Sequence, residues 1–232
     1  MKTIGIVGGL AWPSTITYYK LINEEIAKHL GGDGLHCAKL FLAQTDFEEI
    51  AHDQACGNWQ RVGALLAEQA NRLKAAGADF FLLACNTVHT AAEYLEAGTD
   101  LPYIHIVDPA AELAVGMGAK TVGLLGSGYT MRGTFFRGRL QERYGLNVLI
   151  PDGAHFDNIH NALYQELVKD VFLPETREKF RAAIRDLTDR GAEAVILGCT
   201  EFGLLVKPED CAVPLIDTTH AHAMAAVDRA LA

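Results

Sequence analysis

Two cysteines stand where thiol chemistry is possible. Cys85 closes the apolar run Phe80-Phe81-Leu82-Leu83-Ala84 and is followed by Asn86-Thr87, with a helical pattern behind it. Such a run predicts a buried strand that hands its last side chain to the start of a helix. The same arrangement returns 114 residues later (199 − 85), where Gly191-Ala192-Glu193 leads to Cys199-Thr200-Glu201 as Gly77-Ala78-Asp79 leads to Cys85-Asn86-Thr87. Backbone N–H groups at a helix start favour a thiolate over a thiol. With an ordinary pKa near about 8.5, lowered in that setting, both protonation states of a thiol are within reach at neutral pH. A matched pair can then act as base and acid, removing a proton from one face of a tetrahedral carbon and returning one to the other. Cys37, Cys56 and Cys211 lack this setting and read as ordinary small hydrophobes.

The elements that must position such a pair are legible as alternating strand and helix patterns. Thr3 to Val7 reads as a strand closed by Gly8-Gly9, and Ser14 to Leu30 as an amphipathic helix with Pro13 at its start and Gly31-Gly32 at its end. Cys37 to Leu42 predicts a second strand, and the polar stretch Gln44 to Gly57 a loop or short helix. Asn58 then caps a helix to Ala76, the strand Asp79 to Ala84 follows, and a helix runs to Leu95. After Pro102 come a short strand, Tyr103 to Val107, and a helix from Pro109.

At that point the pattern restarts. Lys120-Thr121-Val122-Gly123-Leu124-Leu125-Gly126 repeats Lys2-Thr3-Ile4-Gly5-Ile6-Val7-Gly8 at an offset of 118 (120 − 2), and Val213-Pro214-Leu215-Ile216 repeats Leu101-Pro102-Tyr103-Ile104 at 112 (213 − 101). Three landmarks in one order indicate duplicated half-chains. The fold expected is α/β with two pseudo-symmetric lobes, each a parallel sheet flanked by helices, and an active site in the cleft between them. Residues 1–108 would form the first lobe, with the C-terminal helix of about 217–232 packing back on it, and residues 109–216 the second.

Composition narrows the function. A formal charge of −9 across 232 residues, with no block of Lys or Arg, argues against nucleic acid or an anionic membrane as partner. No apolar run is long enough to span a bilayer or serve as a signal peptide, which implies the cytoplasm. Five cysteines without a Cys-x-x-Cys form neither a disulfide framework nor a zinc site. His220-x-His222 would project to different helix faces, so no metal is expected. The turn Gly126-Ser127-Gly128 has Met131 where a dinucleotide fingerprint needs glycine, so no nucleotide cofactor is expected either. Its glycines, like Gly8-Gly9, allow tight turns whose N–H groups suit a carboxylate. His89, four residues after Cys85, is placed either to tune the thiol or to pack, and packing is the reading preferred.

Cys85-Asn86-Thr87, Gly198-Cys199-Thr200-Glu201 and the opening Ile4-Gly5-Ile6-Val7-Gly8-Gly9 resemble the aspartate/glutamate racemase family, whose members dispense with pyridoxal phosphate. The resemblance runs the length of the chain. It is closest to the aspartate and broad-specificity amino-acid racemase branch, through Trp12 to Tyr19, Thr45-Asp46-Phe47-x-Glu49-Ile50, Gly128-Tyr129-Thr130-Met131 and Gly203-Leu204-Leu205-Val206. It implies that Cys85 and Cys199 are the paired acid/base residues and that both enantiomers are turned over. By the same resemblance Asn86, Thr87, Thr130 and Thr200 hold the amino acid, Leu10 and Gln54 border the pocket, no cofactor is needed, and the protein is a homodimer.

The chain departs from that branch at Leu10, where methionine is usual, and at Ala11 and Pro13. Where aspartate-selective members carry an Arg after the second strand, it offers His52 and Gln54; Lys169 lies near the position of a second-lobe Lys. Substrates to weigh are therefore aspartate, glutamate and neutral amino acids, with hydantoin racemase and maleate isomerase as related activities. A non-catalytic amino-acid sensor and a redox switch through Cys85 and Cys199 belong to other classes.

Overall fold

The computed structural model describes residues 1–169 and 171–232. The chain divides into two compact units, one of Met1–Ile106 with Thr219–Ala232 and one of Val107–Thr218. Each is built on its own parallel sheet. In the first, β1 (Ile4–Gly8) lies between β2 (Leu40–Gln44) and β3 (Phe80–Leu83). In the second, β4 (Thr121–Gly126), β5 (Asn147–Leu149), β6 (Ala194–Gly198) and β7 (Leu215–Asp217) run in the order β5-β4-β6-β7. Parallel neighbours need crossover connections, and helices supply them here. Among the described residues no helix is long and apolar enough to cross a membrane.

Strand alternation explains why the first sheet is covered on both faces. Ile4, Ile6, Phe80 and Leu82 point to one side, where Tyr18, Ile22 and Ile26 of the helix Trp12–Leu30 meet Ala223, Ala226, Val227 and Ala230 of the C-terminal helix Thr218–Leu231. Val7, Phe81 and Leu83 point to the other, against Val62, Leu66, Ala70 and Leu73 of the helix Trp59–Ala76. That second layer is tight. Gly63 sits where the helix crosses Ala92–Gly98, and a Cβ added there would collide with Tyr94 Cβ. Gly63→Ala is expected to cost about 1–3 kcal/mol. A thermal melt should show the midpoint falling by roughly 2–4 °C per kcal/mol.

The two units repeat details that no composition argument predicts. Leu73 Cδ1 stands 3.0 Å from where a Cβ on Gly5 would lie, and Leu187 Cδ1 stands 3.0 Å from the same point on Gly123, so each strand glycine admits a leucine from the helix before the cysteine strand. Gly77 and Gly191 close those helices with φ of 100° and 98°. Next, Asp79 takes the Thr3 N–H (2.6 Å), and Glu193 takes the N–H groups of Lys120 and Thr121 (2.6 and 2.9 Å). Those two N–H groups hold the Glu193 carboxyl below the usual range. In each unit an acidic side chain thus pins the start of the central strand beside the strand that ends at the cysteine.

Three expectations shift, and one left open between loop and short helix is settled. β2 begins at Leu40 rather than Cys37, because the Ala38 N–H goes to Asn23 Oδ1 (3.0 Å) on the first helix instead of to the sheet. The polar stretch after it holds a helix, Phe47–Ala55, capped by Asp46, whose Oδ1 accepts the Glu48 N–H (3.1 Å). Asn58 precedes Trp59–Ala76 without a side-chain cap; its Nδ2 donates to Asp53 Oδ1 (3.2 Å). The strand expected over Tyr103 to Val107 is a single parallel bridge, Phe81 to Tyr103, since the next helix already starts at Val107. Its counterpart in the second unit pairs three residues, Leu215 to Asp217, with Val195 to Leu197.

Candidate active site

In the first unit the residues singled out lie after the C-terminal ends of β1, β2 and β3. Ala84 N–H donates to Val7 O (3.0 Å), which carries the sheet register up to the residue before Cys85. Cys85 is partly exposed, Asn86 is 5% exposed, and Thr87 opens a 3-10 stretch, Thr87–Ala91, ahead of the short helix Ala92–Gly98. The turn after β1 is tight. Gly9 has φ 78° and donates its N–H to Thr15 Oγ1 (2.9 Å), while Thr45 closes over Gly8 O through both N–H (3.0 Å) and Oγ1 (2.9 Å). Leu10 follows with its side chain in the core, 2% exposed, so what it presents at the turn is main chain. Gln54, on the helix after β2, keeps its Nε2 buried and without a hydrogen-bond partner among the described residues. A buried amide donor left unmatched costs about 1–3 kcal/mol, which an arriving acceptor would recover.

The turn after β1 also holds the one non-glycine residue with positive φ among the described residues, Ala11, at φ 43° and ψ 123°. That geometry is glycine territory and costs roughly 1–3 kcal/mol. Ala11→Gly is expected to raise the melting midpoint by about 2–4 °C, relief of strain outweighing the added freedom of the unfolded chain.

In the second unit the matching residues follow β4 and β6. Thr130 is fully buried, and its methyl and Cβ fill the space where Cβ atoms on Gly126 and Gly198 would lie, at 2.7 and 2.9 Å. Its N–H donates to Ser127 Oγ (3.2 Å), and the two hydroxyls are 3.2 Å apart. Both glycines, one closing each strand, are therefore required by the threonine between them. Cys199 is partly exposed and Phe202–Leu205 forms one short turn of helix behind it. With so little helix after either cysteine, a macrodipole contributes little, and neighbouring side chains must set thiol chemistry.

Glu201 is the neighbour that sequence reading passed over. Its Oε2 accepts from Cys199 Sγ–H (2.9 Å) and from Thr200 Oγ1–H (2.7 Å). The thiol proton joins the sulfur to the carboxylate, and a thiolate in that place would face another anion. The signal was present as a carboxylate two residues after a cysteine, but only the fold of this turn brings the two heads together. No group of His, Cys, Asp and Glu among the described residues could hold a metal ion.

The family model for Asp/Glu/Hydantoin racemase matches residues 7–226. The chain belongs to that family. Membership makes it an isomerase of the Asp/Glu racemase type. The broad specificity amino-acid racemase RacX of Bacillus subtilis (strain 168) is 22% identical to this chain, over 99% of it and 98% of RacX. The crystal structure of a Yersinia pestis protein provisionally described as an Asp/Glu racemase superposes with TM-score 0.95 at 42% identity, covering both chains in full. An aspartate racemase homologue from Pyrococcus horikoshii OT3 superposes with TM-score 0.86 at 28% identity, again over the whole of both chains.

Proposed function

We propose that the protein is a cofactor-independent racemase of aspartate or glutamate in which Cys85 and Cys199 exchange the α-proton as a base and an acid. The observation that carries this reading is the hydrogen bond that Cys199 makes to a carboxylate. Cys199 holds its proton against Glu201 Oε2 (2.9 Å). In that state it is the acid, and Cys85 as thiolate is the base. The thiolate takes the α-hydrogen as a proton, the electron pair left on Cα is delocalised into the carboxylate, and the Cys199 proton is delivered to the opposite face. After turnover the protonation states have changed places, and the reverse reaction starts from there. Asn86, Thr87, Thr130 and Thr200 supply donors that stabilise the carboxylate as charge builds on it, and Leu10 borders the pocket through its main chain. The buried donor of Gln54 suits a side-chain carboxylate.

The test is proton NMR in heavy water without added cofactor, with chiral separation alongside. Loss of the α-proton signal of L-Asp or L-Glu, with appearance of the D enantiomer, is the expected result; binding without exchange would make the protein a sensor. The full-length likeness to RacX favours a second reading, a broader racemase that turns over neutral amino acids as well. Neutral amino acids in the same tubes separate the two.

A further inference from the structure

His89 reads from the sequence as packing, and it is indeed fully buried, with ring centroids of His105, His222 and Tyr103 at 4.6, 6.0 and 6.3 Å. Its nitrogens do more than fill space. Nδ1 lies 2.9 Å from the carbonyl oxygen of Cys85 and 3.2 Å from that of Asn86, and Nε2 lies 3.2 Å from the Ile106 N–H. Because a main-chain N–H can only donate, Nε2 accepts, so the ring proton is on Nδ1 and is shared between the two carbonyls. The ring is therefore neutral and of one tautomer. His222 behind it is held in the same manner: Nε2–H donates to Ile104 O (2.8 Å) and Nδ1 accepts from the Tyr18 hydroxyl (2.9 Å).

The consequence for Cys85 follows from peptide planarity. In a trans peptide the C=O and N–H point in opposite directions. Drawing the carbonyls of Cys85 and Asn86 onto one imidazole turns the N–H groups of Asn86 and Thr87 away from it. On the other side of Cys85, Ala84 N–H is fixed to Val7 O. The backbone that aims Sγ is thus clamped before and after the residue.

We propose that His89 is a positioning residue for Cys85: acting through the main chain and without touching substrate, it fixes the direction of the thiol and of the two N–H groups beside it. This rests on the reading of Cys85 as an acid/base group, but the test does not need that reading to be right. In the full-length protein, His89→Asn keeps a donor near the position of Nδ1, His89→Gln keeps an acceptor near that of Nε2, and His89→Leu keeps neither. Alkylation by iodoacetamide over a pH series is followed at Cys85 and Cys199 separately by peptide mass spectrometry, with α-proton exchange measured in parallel.

Cys85 alkylation is expected to slow roughly tenfold in the leucine variant, the size of a lost hydrogen bond to main chain, with Cys199 unchanged. Asparagine should restore most of the rate and glutamine little, and kcat should fall in step while KM holds. Rescue by glutamine alone would assign the bond to Ile106 as the one that matters and overturn the proposal. So would equal changes at both cysteines, or no change at Cys85. If the leucine variant does not fold, the contrast between asparagine and glutamine decides. Should the wild type exchange no α-proton while Cys85 labelling still follows the Nδ1 donor, the racemase reading falls and the positioning role stands.

Discussion

Replacing either Cys85 or Cys199 by serine is expected to remove racemisation, with kcat down by about 10²- to 10⁴-fold or more, the usual contribution of a general acid or base. A serine hydroxyl ionises far too reluctantly to take an α-proton and is too weak an acid to return one quickly. The fold should survive, because both residues are partly exposed and the change exchanges one atom. The sharper readout comes in heavy water. A site left with one thiol should at most wash out the α-proton of a single enantiomer, with none of the opposite enantiomer formed. Full activity in either variant would remove the two-thiol mechanism, and loss of the circular dichroism spectrum would make the position structural instead.

Glu201→Gln should have the next largest effect, on two observables of opposite sign. A hydrogen bond to a charged group is worth about 1.5–3 kcal/mol, or roughly 10- to 100-fold. The carboxylate accepts the Cys199 proton and, by its charge, opposes a thiolate beside it; an amide of the same shape can donate to that thiolate. Alkylation of Cys199 at neutral pH is therefore expected to speed up about tenfold or more while racemisation slows by a similar factor, because the acid of the pair is no longer kept protonated. Cys85 labelling provides the control and should not change. If both cysteines respond alike, Glu201 holds the turn and not the proton.

The two residues most informative about chemistry beyond the cysteines, Glu201 and His89, were in plain sight in the sequence and could not be assigned there. Glu201 lies two places after Cys199, a spacing at which extended residues share a face but turn residues do not in general. Its partnership depends on the chain bending at Cys199 and Thr200 before Phe202 starts a helix. His89 is four places after Cys85, a helical spacing, yet its bonds run to main-chain oxygens and to Ile106. Side-chain patterning does not report main-chain acceptors. The reverse case is Leu10, placed at the pocket by the family resemblance, whose side chain the fold claims for the core.

What the sequence determined by itself was the architecture of repeated strand and helix and the placement of both cysteines at strand ends. Hydrophobic periodicity reports burial directly, and the landmarks recurring at offsets of 112 to 118 residues report duplication without reference to three dimensions. It also carried the family, through short motifs spread along the whole chain. Tertiary structure decided whatever depends on competition for hydrogen bonds. Ala38 chose Asn23 over the sheet and shortened β2, Asn58 chose Asp53 over its helix, and the Tyr103 segment kept a single bridge before the helix that starts at Val107. It alone decided two placements, a carboxylate against the Cys199 thiol and a histidine on the Cys85 carbonyl. Both placements turn on atoms a few ångströms apart that the linear order does not bring together.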